Sequence, residues 1–395
     1  MRIRLTIKKT ELQSYTYIFL LCLYTAVTVL ASSNVDNVLF INKSLLYSFI
    51  GKWIGPALIV LFLWERKLKR SKLVVMAVLS FIVIAVSLNS QNRGFATMYA
   101  VMLAYPSELS AKKIAKWKSY TIFFTTAVIL ILYSLGLVVG DINIRGSITR
   151  ISCGFISPNA FGNTVLIWMI IFIYYKFEDW NMKNTVLCIF ITGIVFKLSN
   201  SRMSFIIEIL VLVVIHIWIF KKDSNHKFLY ETASWAYPCL TVLCYVITYI
   251  FSKGIFSDYL SVLNVFLSYR LGFMRKYLLE YGIKPFGQII QTVSRSQQIA
   301  TGEAWSGLDN SYMYILICWG LILSIILCVL YFTLGKYLKK KGDYIGALCV
   351  IALCIVGLTE SYLSNVSYNL AVVLIAEMLG CGTFSLKKNE KEHKI

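Results

Sequence analysis

A succession of apolar runs constrains this chain more than any other feature. Many of these runs reach the roughly 20 residues that an α-helix needs to cross a bilayer. The chain has 395 residues and is 58% hydrophobic, which exceeds the apolar share of ordinary soluble domains. The sequence therefore predicts an all-α polytopic membrane protein, with a single membrane domain that covers residues 1–395.

Hydropathy and flanking charge place about twelve transmembrane helices along the chain. The predicted spans are 15–32, 45–64, 73–89, 94–107, 120–140, 159–175, 185–199, 203–220, 234–252, 311–332, 344–358 and 366–384. The fourth span is short, and a re-entrant segment is an alternative interpretation of it.

The orientation follows from the basic residues, which give the chain a net charge of +20. Most Lys and Arg residues lie in segments that fall on one side of the membrane in a twelve-span arrangement. These segments are 2–9, 66–72, 112–118, 176–183, 221–227, 336–341 and 387–394. Because basic loops stay on the cytoplasmic side, we expect both termini to be cytoplasmic.

The opposite side holds one long extracytoplasmic segment, residues 253–310. Apolar residues recur in it at helical spacing between Ser257 and Gly282, with a Ser-Asp pair as the predicted helix cap. A moderately apolar, amphipathic helix outside the membrane is expected to lie in the interface. The polar residues 288–310 are then expected to form a mobile cap.

Four of the predicted helices begin with polar residues on this outer side. The starts are at Asn92-Arg93, Ser157-Pro158-Asn159, Asn200-Ser201-Arg202 and Asp309-Asn310-Ser311. Ser is a good N-cap and Pro suits the first helical position, so a helix is predicted from residue 158. Helix N-termini carry free N–H groups and partial positive charge, so their convergence would make an anion site.

Three arginines, Arg150, Arg202 and Arg270, add full positive charges near these helix starts. The guanidinium fork suits phosphate oxygens, which favours an anion site. The alternative is that each helix merely needs its cap and that the arginines anchor to lipid headgroups. Glu208, one and a half turns below Arg202, is a candidate ion-pair partner for an arginine of this site.

Metal and cofactor chemistry have little support in the sequence. Only three histidines occur, and His226 and His393 are predicted to be cytoplasmic. No carboxylate cluster shows metal-ligand spacing, and no nucleotide-binding motif or Ser-His-Asp set is present. The sequence predicts no metal and no cofactor.

Short motifs between about Arg145 and Tyr362 resemble those of Wzy-type O-antigen and capsular polysaccharide polymerases. The matching residues are Arg150, Gly154-Phe155, Ser157-Pro158-Asn159, Gly162, Ser201-Arg202, Ser268-Tyr269-Arg270, Leu308 to Tyr312, and Gly320. Two departures stand out. Family members often have His where this chain has Ser157, and a histidine often found in the long loop is absent here.

The resemblance implies transfer of a growing glycan from undecaprenyl diphosphate onto the next lipid-linked repeat unit. It also implies the outer face of a bacterial plasma membrane as the setting, with the lipid-linked donor and acceptor and membrane lipid as partners. The flippase and the chain-length regulator of the same pathway are further candidate partners. The three arginines would stabilise the diphosphate leaving group. Since no histidine is predicted to reach the external site, the candidate bases are Asp309, Glu360 and Glu303. The candidate substrate-binding residues are Ser157, Asn159, Ser201, Asn310 and Tyr312.

Two other functions stay open at this point. A flippase for lipid-linked oligosaccharides would need charges along many spans, and the long external segment disfavours it. An O-antigen ligase would use the same fold and chemistry with a different acceptor. The lysine-rich, alanine-poor composition favours a low-GC bacterium without an outer membrane as the source, and this disfavours the ligase.

The predicted topology can be tested with single cysteines and an impermeant thiol reagent. Cysteines at Asn143, Ser294 and Asn365 should react from outside, while those at Ser110 and Asn225 should not. The unsubstituted chain, labelled in parallel, gives the background from its native cysteines. Labelling at Ser110 from outside would overturn the orientation and the external anion site with it.

Overall fold

A computed structural model describes residues 2–35, 42–63, 70–145, 147–220, 226–293, 302 and 306–381. The described chain is predominantly helical, as expected of a polytopic membrane protein. Seven of its described helical segments are long and apolar enough to cross a membrane: 11–31, 45–63, 111–134, 158–179, 182–199, 227–252 and 321–341. The full count of twelve crossings stays a prediction.

The helices, in chain order, are α1 (Arg2–Ala31), α2 (Lys43–Leu63), α3 (Arg70–Ser90), α4 (Gly94–Leu103), α5 (Ala111–Ser134), α6 (Pro158–Lys176), α7 (Met182–Ser199), α8 (Arg202–Phe220), α9 (Lys227–Ser252), α10 (Ser257–Phe266), α11 (Arg270–Tyr281), α12 (Ser311–Tyr314), α13 (Leu321–Lys341), α14 (Tyr344–Val356) and α15 (Leu370–Cys381). Strands β1 (Ile142–Arg145) and β2 (Ile148–Ile151) form an antiparallel hairpin between α5 and α6. Short 3-10 turns, Phe177–Asp179 and Ser361–Ser364, follow α6 and α14.

The chain divides into two compact units. Unit 1 comprises residues 1–65, 100–226 and 366–395, and unit 2 comprises residues 66–99 and 227–365. Unit 1 therefore contains α1, α2, α5 to α8, α15 and the hairpin. Unit 2 contains α3 and α9 to α14, and α4 contributes residues to both.

Helix α6 forms the centre of unit 1. Its apolar window is 78% buried, against 22% for α2, and it packs against α5, α7 and α8. A helix that is apolar all round is expected to be enclosed in this way. The hairpin leads directly into α6, and β2 also contacts α7, so the start of α6 is held from two sides.

Two buried charges bind backbone groups elsewhere in unit 1. The Glu377 carboxylate on α15 accepts a hydrogen bond of 3.0 Å from the Ala111 N–H, the first residue of α5. The Ser110 side chain caps the same helix by accepting from the Lys113 N–H. Lys118, which is fully buried on α5, donates from Nζ to the Val366 carbonyl at 2.8 Å. Glu377 thus acquires a structural role that the sequence did not suggest.

Unit 2 is built on the close crossing of α9 and α13. A Cβ atom at Gly335 would lie only 2.2 Å from the Ser234 hydroxyl oxygen, so glycine lets the two helices approach. Tyr237 and Tyr331 stack across the same contact with ring centroids 4.2 Å apart. Helices α11 and α14 pack against α9 as well.

The predicted tenth span, 311–332, is wrong as one continuous helix. It is divided into α12, a π-helical turn from Ile315 to Trp319, and α13, with Gly320 at φ +93° between them. The loop before it binds the freed backbone: the Gln288 N–H donates to the Cys318 carbonyl, and the Leu321 N–H donates to the Lys284 carbonyl, both at 3.0 Å. Hydropathy continues across Gly320 and does not reveal such a break.

The predicted external helix between Ser257 and Gly282 is two helices rather than one. Ser268 and Tyr269 adopt left-handed φ values of 56° and 66°, which separate α10 from α11. The Ser257 side chain makes no capping bond, so the predicted cap is also wrong. Helix α10 has no buried residue, whereas α11 buries Leu271, Met274 and Tyr277.

Candidate functional site

The four helix starts predicted from polar residues are found close to where they were expected. Helices α6 and α8 begin at Pro158 and Arg202 in unit 1, and α4 and α12 begin at Gly94 and Ser311 in unit 2. Within unit 2, the Asn92 amide caps Gly94 and donates to the Tyr314 hydroxyl at 2.6 Å. The convergence of all four starts involves both units and stays a prediction.

The start of α6 confirms the predicted cap. Ser157 is extended, and its hydroxyl accepts a hydrogen bond of 3.1 Å from the Ala160 N–H. Pro158 occupies the first turn of the helix, where a missing N–H costs nothing. Ser157 therefore has a structural task, which accounts for this residue without any substrate.

Arg150, on β2, is 96% buried, and its guanidinium joins two helix ends. Its Nε donates to the carbonyl of Ser199, the last residue of α7, at 2.8 Å. Its Nη2 donates to the Asn159 side-chain oxygen in the first turn of α6 at 2.5 Å. The Arg150 guanidinium therefore binds protein groups, and it links the end of α7 to the start of α6.

Ser201 and Arg202 stand at the start of α8, and their environments differ. Ser201 is buried against α6, where a Cβ atom on Gly162 would lie 2.6 Å from its own Cβ. Arg202 is exposed and makes no hydrogen bond or ion pair with the described residues. Of the two predicted arginines in unit 1, Arg202 is the one whose side chain is exposed and available to an anionic ligand.

In unit 2, Arg270 opens helix α11 and binds three groups. Its Nε donates to the Thr359 carbonyl at 2.8 Å, and its Nη1 reaches the Leu267 carbonyl at 3.5 Å. Its Nη2 forms an ion pair with the Glu360 carboxylate at 3.1 Å, in which both side chains are about 15% exposed. A guanidinium has five N–H donors, so Arg270 retains donors beyond these three contacts.

Asp309 was predicted as either a base or the cap of its helix, and the cap is in fact its neighbour Asn310. The Asn310 side chain accepts from the Met313 N–H at 2.9 Å, while its amide donates to the Leu358 carbonyl at 2.9 Å. The Asp309 carboxylate accepts no hydrogen bond from the described residues. Burial raises the pKa of Asp309, and the nearby positive charge of Arg270 opposes that rise.

Three predicted site residues of unit 2 remain, and each has a different outcome. Tyr312 is buried, and its hydroxyl donates to the Cys354 carbonyl at 2.6 Å, so it packs the interior rather than facing a substrate. Glu360 is bound to Arg270, and its own carbonyl accepts from the Ser311 hydroxyl at 2.5 Å. Glu303 lies outside the described residues.

Two further expectations concern charges and metals. The predicted ion pair of Glu208 with an arginine is wrong: Glu208 is 98% buried, and its Oε1 has no partner in the described part of the chain. Within the same described residues, no three His, Cys, Asp or Glu side chains group as metal ligands would.

The arrangement in unit 2 has a clear chemical capability. A half-buried, uncommitted carboxylate on Asp309 lies near a guanidinium that is oriented by Glu360 and by two backbone carbonyls. Such a pair can accept a proton at one point and stabilise a negative charge at another. Thr359 and Leu267 orient Arg270 through their backbone carbonyls. Every residue has such a carbonyl, so the sequence does not show that these two have this role.

The different environments of Arg150 and Arg202 give a stability prediction. Arg150→Lys should destabilise unit 1 by about 1–3 kcal/mol, because a single ammonium does not reproduce the guanidinium fork that reaches both the Ser199 carbonyl and the Asn159 side chain. Arg202→Lys, at an exposed position, should change stability by no more than about 0.5 kcal/mol. Thermal unfolding of the purified, detergent-solubilised variants measures both, and an Arg150→Lys protein that melts with the wild type would contradict the structural role.

Comparisons with protein-family models, with curated proteins and with solved structures found no match to this chain. The case for a function therefore rests on the residues, contacts and charges of the chain itself.

Proposed function

We propose that this protein polymerises undecaprenyl-diphosphate-linked oligosaccharide repeat units into a capsular or O-antigen-type polysaccharide. The reaction is a metal-independent glycosyl transfer at the outer face of a bacterial plasma membrane, which the chain crosses about twelve times with both termini inside. The observation that carries the proposal is the ion pair of Arg270 with Glu360, together with an Asp309 carboxylate whose pKa burial raises and the charge of Arg270 lowers. The motif resemblance to Wzy-type polymerases supports it.

Glycosyl transfer from a lipid diphosphate makes two chemical demands. The leaving diphosphate gains negative charge as its bond to the anomeric carbon breaks, and the attacking sugar hydroxyl must lose a proton. Arg270, oriented by Glu360 and by the Thr359 carbonyl, has donors left for phosphate oxygens. Asp309, whose carboxylate is neither a cap nor hydrogen-bonded within the described chain, suits the proton acceptor.

The proposed glycosyl transfer needs no metal and no cofactor. The acceptor hydroxyl oxygen bonds to the anomeric carbon of the growing chain, while the bond from that carbon to the diphosphate oxygen breaks. The hydroxyl proton passes to the Asp309 carboxylate, and undecaprenyl diphosphate leaves with the bonding electron pair. Burial raises the pKa of Asp309 from its ordinary 3.8 and so makes it a better base than an ordinary, fully hydrated aspartate.

Unit 1 offers a second group that suits an anionic substrate. Arg202 is exposed at the N-terminus of α8, where free N–H groups and partial positive charge already favour anions. Arg202 has no partner among the described residues. If Arg202→Lys lowers the polymerisation rate without changing stability, the loss therefore indicates a weaker interaction with substrate and not a folding defect.

The function itself can be tested with purified full-length protein and lipid-linked repeat units in the presence of a strong chelator. We expect glycans longer than one repeat unit, because the proposed groups are all side chains of this protein. Movement of repeat units across proteoliposomes without polymerisation would identify a flippase. Transfer of glycan to a different lipid acceptor would identify a ligase, and activity that requires an added divalent ion would contradict the metal-independent step.

Asp309→Asn tests the base in the same assay. Asparagine keeps the size and polarity of the side chain but cannot take a proton, so polymerisation should fall about 100- to 10,000-fold. Because Asn310 is the cap, the variant should fold and melt like the wild type. Asp258→Asn, which neutralises an exposed carboxylate on α10, is the matched control and should retain its rate. A wild-type rate in Asp309→Asn would exclude Asp309 as the base.

A further inference from the structure

A line of buried polar side chains descends along α8 into its apolar part. Ser201, Ser204 and Glu208 recur at three- and four-residue spacing, so they occupy one face of the helix. Their exposed fractions are 6%, 2% and 2%. This face packs against α6 and α7, both of which belong to the same unit. Buried polar groups at such a depth are costly and commonly functional.

The upper part of this line is a continuous hydrogen-bonded chain. The Ser204 hydroxyl donates to the Asn163 side-chain oxygen on α6 at 2.6 Å. The Ser201 and Ser204 hydroxyl oxygens are 2.8 Å apart. Since a hydroxyl has one proton, and that of Ser204 is given to Asn163, Ser201 must be the donor to Ser204. The chain therefore has a direction, from the start of α8 toward Asn163.

Two buried atoms at the lower end of the line have no partner among the described residues. They are the side-chain nitrogen of Asn163, which is 97% buried, and Oε1 of Glu208. Ser204 and Glu208 are one turn apart, about 6 Å of helix rise, which one water spans with two hydrogen bonds of about 2.8 Å each. An N–H donor and a carboxyl oxygen beside a hydroxyl are suitable partners for such a bridging water.

Among the described residues, no cation contributes to the surroundings of Glu208. From α7, the polar neighbours of Glu208 are the Thr192 hydroxyl and the Cys188 thiol. From α6, the Met169 sulfur lies against Thr192 at 3.9 Å. No Lys, Arg or His of the described chain forms an ion pair with Glu208. A buried carboxylate without a counter-ion is strongly disfavoured relative to its protonated form.

We propose that the contact of α6, α7 and α8 contains a proton-binding site. Glu208 holds the proton, and it exchanges that proton with the start of α8 through a bridging water and the hydroxyls of Ser204 and Ser201, each of which accepts one proton as it releases another. Asn163 orients the Ser204 hydroxyl. The step is a reversible transfer from the Glu208 carboxyl to water, which leaves a carboxylate and a hydrated proton. The site uses none of the groups assigned to the glycosyl transfer in unit 2, although its upper end, Ser201, adjoins Arg202.

Infrared spectroscopy of the purified full-length protein tests the site directly. A protonated carboxyl in an apolar environment has its own C=O stretch, and this band should be present in the wild type at neutral pH and lost in Glu208→Gln. Glu208→Asp keeps a carboxyl, so it should shift the band without abolishing it. Identical spectra of the wild type and both variants in this region would overturn the proton-binding site.

Deuterium exchange tests the connecting chain. Transfer into D₂O should shift the Glu208 band, and Ser204→Ala should slow that shift severalfold because the hydroxyl relay is interrupted. Ser134→Ala removes an exposed hydroxyl on α5 and is the matched control, with an expected exchange rate equal to that of the wild type. A Ser204→Ala protein that exchanges as fast as the control would overturn the proposed route.

Discussion

The structure depends on the need to satisfy backbone groups where little water is available. In an apolar environment, an unpaired N–H or carbonyl costs several kcal/mol, and each helix end leaves such groups free. Here the long charged side chains meet that need. Arg150 and Lys118 bind the carbonyls of Ser199 and Val366, and Glu377 binds the N–H of Ala111. Four-carbon and guanidinium side chains suit this task because they reach a backbone group on another element.

In unit 2, Arg270, the residue proposed to act on substrate, is likewise a charged side chain that binds backbone groups. Arg270 binds the carbonyls of Thr359 and Leu267 and forms an ion pair with Glu360, and these three contacts hold its guanidinium in place. A guanidinium held in this way loses little freedom when it binds an oxyanion, which is the condition for electrostatic stabilisation of a transition state. The contacts that stabilise the fold therefore also orient the proposed catalytic charge, and loss of Arg270 would affect both.

The sequence predicted the local features of this architecture well and the distant ones poorly. The start of α6 at Ser157-Pro158 depends on neighbouring residues, and it was predicted correctly. The division of the tenth span at Gly320 depends on a loop backbone more than thirty residues earlier, and the Glu377 contact with Ala111 joins residues 266 apart. Hydropathy averages over neighbours in sequence and carries no information about such partners. The same limit explains why Arg150 was expected to face a substrate when it binds two helix ends.

Asp309 and Asn310 illustrate how two adjacent and chemically similar residues divide their tasks. Both are good N-caps by type, so their order in the sequence does not show which one holds the helix. Asn310 takes the cap because its amide can also donate to the Leu358 carbonyl, which a carboxylate cannot do. Asp309 is thereby left partly buried, beside Arg270, with its pKa raised by burial. A base needs a carboxylate that is not already committed to donors, and the capping by Asn310 is what leaves Asp309 in that state.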